Sequence, residues 1–241
     1  MMPVDILLTV IATSVVQSVF GVGVLLFGTP LLLLLGYGFV DALGVLLPVS
    51  IAISMLQVIR HYEDVDTGFY KNVLVYSIPV VVLFLVVVTT VKINVSLVIG
   101  GLLIFVSLKN FSTTIDRLLQ SIVNYEKIYL MVMGLVHGLS NLGGSMLTVI
   151  IYSKKYSKNK TRVTAAASYA TVAACQLATL LLIGSKFSIT FPDKINFIQI
   201  AVVMFLLTEE MLYNGIDNEK YSKIFAVFLF ASGILLIMKS L

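Results

Sequence analysis

The stretch HGLSNLGG, residues 137–144, interrupts an apolar sequence and decides how the chain is interpreted. It is preceded by YLMVMGLV and followed by SMLTVII, both of which have the composition of a buried membrane helix. Histidine, serine, asparagine and glycines are poor material for a continuous helix in hydrocarbon. Irregular backbone at membrane depth is tolerated only where protein or a water-filled cavity satisfies its polar groups. We therefore expect a broken helix here, lining a site.

The composition of the whole chain places it in a membrane. The 241 residues are 59% hydrophobic and only 12% charged, with a mean hydropathy of +1.05. A soluble domain carries about twice that charged fraction. Apolar runs long enough to span a bilayer fill most of the sequence. We expect an all-α polytopic protein of the plasma or inner membrane. The formal charge of +4 is spread over loops, which argues against a nucleic-acid partner.

Eight apolar segments follow one another along the chain. The first is too long for a single crossing, since 32 residues would make a helix of about 48 Å in a core of about 30 Å. It is interrupted by Gly21, Gly23, Gly28 and Pro30. The segment that contains HGLSNLGG is interrupted in the same way. The eight segments are 5–36, 42–59, 72–91, 95–110, 128–151, 163–184, 194–213 and 221–238.

The order of these segments predicts two copies of one plan, a broken segment followed by three ordinary helices. An offset of 120 residues aligns Gln17 with His137 and Gly21 with Asn141. We expect a first transmembrane repeat at residues 1–112, a cytoplasmic linker at 113–126 and a second repeat at 127–241.

The distribution of lysine and arginine favours re-entrant hairpins for the broken segments. If every segment crosses once, the 16 basic residues divide equally between the two sides. If 128–151 is a hairpin, alone or together with 5–36, they divide 12 against 4. The positive-inside rule favours the unequal division. With both hairpins each copy crosses three times, so the repeats are inverted and the loops at 60–71, 109–127, 152–162 and 214–223 are cytoplasmic.

The two breaks have the chemistry of an anion site. A helix that starts inside the protein offers free N–H groups and positive dipole potential to an anion. Glycine lets a substrate approach the backbone. Close helix packing, as in Gly134-x-x-x-Gly138, is the alternative role for the glycines. We predict that backbone is presented by Gly21, Gly23, Asn141, Gly143 and Gly144, with Pro30 following the first break. We predict that side chains are presented by Gln17, His137, Ser140 and Ser145.

The helix after each break carries a small polar face. Ser50, Ser54 and Gln57 share one face of segment 42–59, and Thr164, Ser168, Thr171 and Cys175 share one face of segment 163–184. We expect Ser50, Ser54, Ser168 and Thr171 to line the substrate cavity. Hydrogen bonding between helices is the alternative.

Other chemistries have less support. Ser140 and His137 could form a hydrolase pair, but no carboxylate is placed to orient the histidine, so we expect no enzyme. RHYEDVD, residues 60–66, could suggest a metal cluster but is more typical of a solvated turn, and Cys175 alone cannot form a structural zinc site. We expect no cofactor and no metal. One of Glu209 and Glu210 should reach the membrane interface. The sequence does not predict an oligomeric state.

The motifs resemble those of a known transporter family. GVGVLLFGTPLL (21–32) with DALGVLLPVSIAIS (41–54) resembles the first half-motif of the TauE/SafE sulfite exporters, and RHYEDVDTGFYKNVL (60–74) resembles the loop that follows. SNLGGSML (140–147) with TAAASYATVAA (164–174) is similar to the second half-motif. The departures are Val24 and Leu25, Asn141 and Ser145, which stand for glycines, and Ile150, which stands for a proline.

The resemblance implies transport of a small sulfur-containing anion such as sulfite, sulfoacetate or another organosulfonate, coupled to protons. From the residues themselves we expect an anion-favouring secondary transporter of the inverted-repeat type, working by alternating access in the lipid bilayer. An anion channel on the same scaffold and a membrane scaffold protein that transports nothing remain alternatives.

Overall fold

The computed structural model of the protein describes residues 3–91, 94–108 and 124–212, together with the single positions 230, 234, 237 and 238. The predicted last segment, 221–238, lies almost wholly outside these residues, as does most of the predicted linker. All regular structure in the described ranges is helical, as the sequence predicts. The helices are α1 Val4–Phe20, α2 Val24–Leu34, α3 Phe39–His61, α4 Thr67–Thr90, α5 Val95–Leu108, α6 Glu126–Ser140, α7 Gly144–Ser153, α8 Lys158–Leu182 and α9 Phe191–Leu212.

Four of the described helices are long and apolar enough to cross a membrane: α3 with its 3₁₀ extension to Asp64, α4, α8 and α9. Helix α4 contains a π-helical turn at Val73–Ser77, followed by Pro79 near the start of the next α-helical stretch. The shorter apolar helices α1, α2 and α7 belong to the two broken segments.

Each broken segment consists of two helices separated by a short turn with one left-handed residue. In the first, α1 ends at Gly21, which has φ 73°, and its N–H donates to the Gln17 carbonyl at 2.9 Å. In the second, α6 ends at Asn141, which has φ 64°, and its N–H donates to the His137 carbonyl at 2.7 Å. Glycine adopts this conformation at no steric cost, and asparagine is one of the few other residues that tolerate it.

The two arms of each broken segment return to the same level. The Tyr37 hydroxyl, just after α2, donates to both carboxylate oxygens of Asp5 near the start of α1, at 2.9 and 2.8 Å. Lys154, just after α7, pairs with Glu126 at the start of α6, with 2.6 Å between Nζ and Oε2. Each segment is therefore a helical hairpin whose tip is its break.

The two hairpins open at opposite ends of α3. The first opens beside the start of α3, since Tyr37 lies two residues before Phe39. The second opens beside the end of α3, because the Tyr156 hydroxyl donates to Asp66, in the turn after α3, at 2.5 Å. A 23-residue helix such as α3 is about 34 Å long, which is enough to separate two faces of a bilayer.

Both halves of the chain share one core. Helix α3 packs most extensively on α8, and α1 packs mainly on α9. The α3–α8 contact places Leu43, Leu46 and Leu47 near a helix rich in alanine, in which Ala166 and Ala173 are fully buried. Small residues allow membrane helices to approach closely. This close contact brings the side chains that follow α1 and α6 into one buried region.

Candidate functional site

Gln17 organises the first break. Its Oε1 accepts from the Val24 N–H at 3.0 Å, which closes the first exposed donor of α2. Its Nε2 donates to Ser54 Oγ at 3.0 Å, and its own carbonyl accepts from Gln57 Nε2 at 3.3 Å. Gln17 and Ser54 are fully buried and Gln57 is 1% exposed. The predicted polar face of α3 therefore does face the first break, and Gln17 fills the helix N-terminus that we expected to be open.

His137 holds the equivalent position before the second break, but its side chain turns elsewhere. His137 Nε2 lies 3.1 Å from Gln176 Oε1 on α8, and the ring meets that of Tyr169 edge-on with 5.8 Å between centroids. All three side chains are at most 2% exposed. Because a carboxamide oxygen can only accept, the Nε2 of His137 is the donor in this pair.

One hydrogen bond joins the second break to the first hairpin. Asn141 Nδ2, from the second break, donates to Thr29 Oγ1 on α2 at 2.9 Å, and both residues are fully buried. The Oδ1 atom of Asn141 has no hydrogen-bond partner among the described residues. The tip of the second hairpin thus contacts the middle of α2 inside the protein.

The glycines of the breaks are in close contact with their neighbours. A Cβ added to Gly23 would lie 2.7 Å from the Gln17 nitrogen, and one added to Gly143 would lie 2.5 Å from His137 Cβ. A Cβ on Gly144 would lie 1.5 Å from the Tyr169 hydroxyl oxygen. One on Gly21 would lie 3.1 Å from the carbonyl oxygen of Arg162. The four glycines therefore serve the tight assembly of the breaks.

Two other glycines of the second hairpin serve helix packing, the role named above as the alternative. A Cβ on Gly134 would lie 2.7 Å from the Ser77 carbonyl, and one on Gly138 would lie 2.6 Å from the Val81 carbonyl. Helix α6 thus lies directly on the backbone of α4.

The remaining predicted residues divide between the break and the helix interfaces. Ser50 is fully buried, its carbonyl is 3.5 Å from Gln17 Nε2, and its hydroxyl has no partner in the described part of the chain. Thr171 instead bonds to the Tyr70 hydroxyl of α4 at 2.7 Å. The hydroxyls of Ser140, Ser145 and Ser168 bond to backbone carbonyls of their own chain stretch, and Pro30 is buried inside α2.

Helix α8 faces the second break with residues that the sequence analysis missed. Its predicted face is used against α4, since Thr164 accepts from the Asp66 N–H at 3.0 Å and Thr171 pairs with Tyr70. Tyr169 and Gln176 face the break instead. Their spacing of seven residues puts the two side chains on one face of the helix. A single tyrosine and a single glutamine in an alanine-rich helix do not, however, indicate that this face meets the break. Thr29 was also missed, because a single threonine in the apolar helix α2 does not indicate a contact with the second break.

A buried ion pair lies next to the first break, where Gly21 contacts Arg162. Glu209 of α9 pairs with both Arg60 at the end of α3 and Arg162 at the start of α8. Of the two glutamates, one of which is expected to reach the membrane interface, Glu209 is buried with 5% exposure, and the side chain of Glu210 lies outside the described residues. The positive charges of the two arginines offset the cost of burying the Glu209 carboxylate away from water. An opening of about 180 Å³, counting the solvent space at its mouth, lies next to Arg162 and is lined also by Gln57, His61, Asn159 and Val163.

The turn after α3 is polar and lies near the same arginines. Hydrogen bonds from the Phe69 N–H and the Tyr156 hydroxyl hold the pKa of Asp66 below its usual value. Lys160 approaches the same carboxylate at 3.8 Å. Within the described ranges, no group of three or more His, Cys, Asp and Glu residues could hold a metal ion. The predicted metal alternative at RHYEDVD therefore gains no support from the geometry.

The arrangement offers hydrogen-bonding groups to a ligand. It places neutral amide, hydroxyl and imidazole groups at two helix breaks, and the first break lies beside Arg162 of the ion pair. In the comparison with protein families, the model described as sulfite exporter TauE/SafE matches residues 6–236. The comparisons with curated proteins and with solved structures returned no match. The family match and the apolar helices together indicate an integral membrane protein.

Proposed function

Because the chain belongs to the sulfite exporter TauE/SafE family, we propose that it is a secondary transporter of a small sulfur-containing anion such as sulfite or an organosulfonate. The substrate binds between the two helix breaks, near the middle of the membrane. The protein works in the cell membrane, and transport is coupled to protons.

The observation that carries the proposal is the hydrogen bond between Asn141 and Thr29. It joins the tip of the second hairpin to α2 of the first hairpin, although the two hairpins open at opposite ends of α3. Broken helices that meet at mid-membrane between inverted repeats are a recurrent plan for substrate sites in secondary transporters. The common left-handed turn at Gly21 and Asn141 supports the reading of the two halves as inverted repeats.

The closed packing of the breaks favours a transporter over a channel. Gln17, Ser140 and Asn141 are fully buried, and the Cβ positions of Gly143 and Gly144 are occupied by neighbouring side chains. A channel needs a continuous path, whereas alternating access includes a state closed to both sides. His137 is the candidate proton carrier, since it is the ionisable side chain at the second break and imidazole titrates near neutral pH.

Binding is tested by thermal shift of the purified protein against sulfite, sulfate, taurine, sulfoacetate and thiosulfate at matched ionic strength. A ligand that binds only the folded state raises the melting temperature, and the stabilisation grows with the logarithm of the ligand concentration above its dissociation constant. We expect at least one sulfur oxyanion to stabilise the protein. If none does, the site between the breaks is wrong.

Transport is tested in proteoliposomes loaded with radiolabelled sulfite. We expect an imposed pH gradient to accelerate flux in the wild type, and Gly143→Leu to abolish flux, because the leucine side chain would collide with His137. Flux that follows membrane voltage and ignores the pH gradient would instead identify an anion channel. A folded protein with no flux of any anion would identify a scaffold.

A further inference from the structure

Tyr169 and Gln176 share one buried face of α8 and meet the second break together. They lie seven residues apart, two turns of helix, so their side chains project in the same direction. Tyr169 is 2% exposed and Gln176 is fully buried. Both contact His137, the tyrosine through its ring and the glutamine through its carboxamide oxygen. The sequence motifs and the family match assign neither residue a role.

The hydroxyl of Tyr169 lies directly on the first residue of α7. A Cβ at Gly144 would come within 1.5 Å of that oxygen and 2.5 Å of the ring carbon that carries it. Only glycine leaves room for the hydroxyl at this place. The start of α7 is where an anion would meet free N–H groups, so the tyrosine oxygen lies where an oxygen of the anion would bind.

Gln176 brings an unused donor to the same region. Its Oε1 is occupied by His137, and its Nε2 has no hydrogen-bond partner among the described residues. A buried amide N–H₂ without an acceptor is destabilising. Gln17, at the first break, has no unpaired amide donor, because its Nε2 and its Oε1 both form hydrogen bonds. The two breaks therefore differ at this position: the glutamine beside the second break has an amide donor without a partner, and the glutamine of the first break does not.

The groups at the second break are neutral donors while His137, the proposed proton carrier, is unprotonated. Arg162, which lies beside the first break, directs its guanidinium to Glu209. Neutral donors can solvate one negative charge, as backbone N–H groups do at a helix start. They cannot offset the much larger cost of burying a second negative charge without a counter-ion.

Building on the proposed function, we propose that the Tyr169 hydroxyl and the Gln176 carboxamide contact the anion at the start of α7. We propose further that they make the site selective for singly charged oxyanions. The Tyr169 ring swings away from Gly144 about its side-chain torsions so that the hydroxyl donates to the ligand, and Gln176 Nε2 donates beside it while His137 holds the carboxamide in place.

The test compares two anions that keep their charge near neutral pH, methanesulfonate with one negative charge and sulfate with two. Dissociation constants are measured by isothermal titration calorimetry on the purified full-length protein. We expect methanesulfonate to bind at least roughly tenfold more tightly than sulfate. Tyr169→Phe and Gln176→Met, which remove donors and keep volume, should each weaken methanesulfonate binding roughly tenfold or more, as for hydrogen bonds to a charged group.

Tyr70→Phe is the matched control, since it removes a tyrosine hydroxyl that pairs with α8 on the face turned to α4. We expect it to leave both dissociation constants unchanged. If Gln176→Met does not fold, Tyr169→Phe, which removes a single oxygen, decides the outcome. Wild-type affinity in the folded variants, or equal binding of the two anions, overturns this inference and leaves the transporter proposal standing. If the wild type binds no sulfur anion in this assay or in the thermal-shift screen, the proposed function itself fails.

Discussion

Each break is built around a single residue in the left-handed region, Gly21 in the first and Asn141 in the second. In this conformation asparagine is slightly less stable than glycine. Its carboxamide, however, reaches Thr29 across the interface between the hairpins. The residue four positions earlier, Gln17 or His137, then projects its side chain to a long helix. Gln17 meets α3, and His137 meets α8.

At the residue scale, Gly143→Ala should destabilise the protein. The new Cβ would lie 2.5 Å from His137 Cβ, an atom fixed to the backbone of α6, so one of the two helices must shift. Overpacking of this kind costs about 1–3 kcal/mol. The measurement is the free energy of unfolding in detergent. Gly101→Ala is the control: nothing lies within 4 Å of its Cβ position on α5, so the substitution should be neutral or mildly stabilising. Equal effects at both sites would contradict the close packing of the break.

The positions of Gln17, Gly21, His137 and Asn141 could be predicted from the sequence, because glycines and polar residues inside apolar runs have few stable uses. Their partners could not be predicted. Gln176 contacts His137 across 39 positions of sequence, and that pairing depends on how α6 and α8 are rotated against each other. Neutral polar residues bring no charge pattern that would report this rotation.

At the scale of elements, three long helices are tied together by one buried carboxylate. Glu209 of α9 pairs with Arg60 of α3 and Arg162 of α8. The side chain of Arg60 is 44% exposed and that of Arg162 is 9% exposed. Water screens the first pair but hardly screens the second. The energetic importance of the cluster therefore lies in the α8–α9 contact.

Glu209→Gln should be strongly destabilising, because it removes the negative charge that pairs with the buried guanidinium of Arg162. Breaking one member of a buried pair typically costs about 3–5 kcal/mol. Arg60→Gln should cost much less, in the range of exposed pairs. Thermal unfolding of both variants, beside Glu63→Gln in the exposed turn after α3, measures the order. An Arg60 variant that is less stable than the Glu209 variant would show that the exposed pair carries the contact.

The packing of α8 shows a limit of predicting a functional helix face from residue spacing. The spacing of residues 164, 168, 171 and 175 indicated one polar face. In the structure, Thr164 bonds to Asp66 in the turn after α3, and Thr171 bonds to Tyr70 of α4. Helix α8 contacts α3, α4 and α7, and its residues 162–170 are all buried. A helix that is buried on several sides carries polar residues on more than one face, and the pattern alone does not tell which face is functional.

At the scale of the molecule, the two halves of the chain interleave. Helix α1 of the first half lies on α9 of the second, and α3 lies on α8. A movement of one half against the other must therefore slide these two contacts. Alanines along α8 and the small residues of α3 present a smooth surface for such sliding. The Asn141–Thr29 hydrogen bond and the Arg60–Glu209 pair are polar contacts between the two halves, so such a movement strains or breaks them.

The distribution of charge predicts the orientation of the molecule in the membrane. The end of α3 near Asp66 gathers most of the basic residues in the described ranges, namely Arg60, Lys71, Lys154, Lys155, Lys158, Lys160 and Arg162. The opposite end, where the first hairpin opens, has Lys186 and Lys194. By the positive-inside rule, we expect the arginine cluster and the mouth of the second hairpin to lie on the cytoplasmic side.

Single-cysteine labelling in a Cys175→Ser background tests this orientation directly. Glu63→Cys and Lys155→Cys lie in exposed turns at the basic end, and Gly38→Cys and Lys186→Cys lie in exposed turns at the other end. We expect a membrane-impermeant maleimide to label the second pair in intact cells and the first pair only in inverted vesicles. Labelling of Glu63→Cys and Lys155→Cys from opposite sides would mean that residues 128–151 cross the membrane. In that case the ends of α6 and α7 could not meet through Glu126 and Lys154, and the convergence of the two breaks would lose its structural basis.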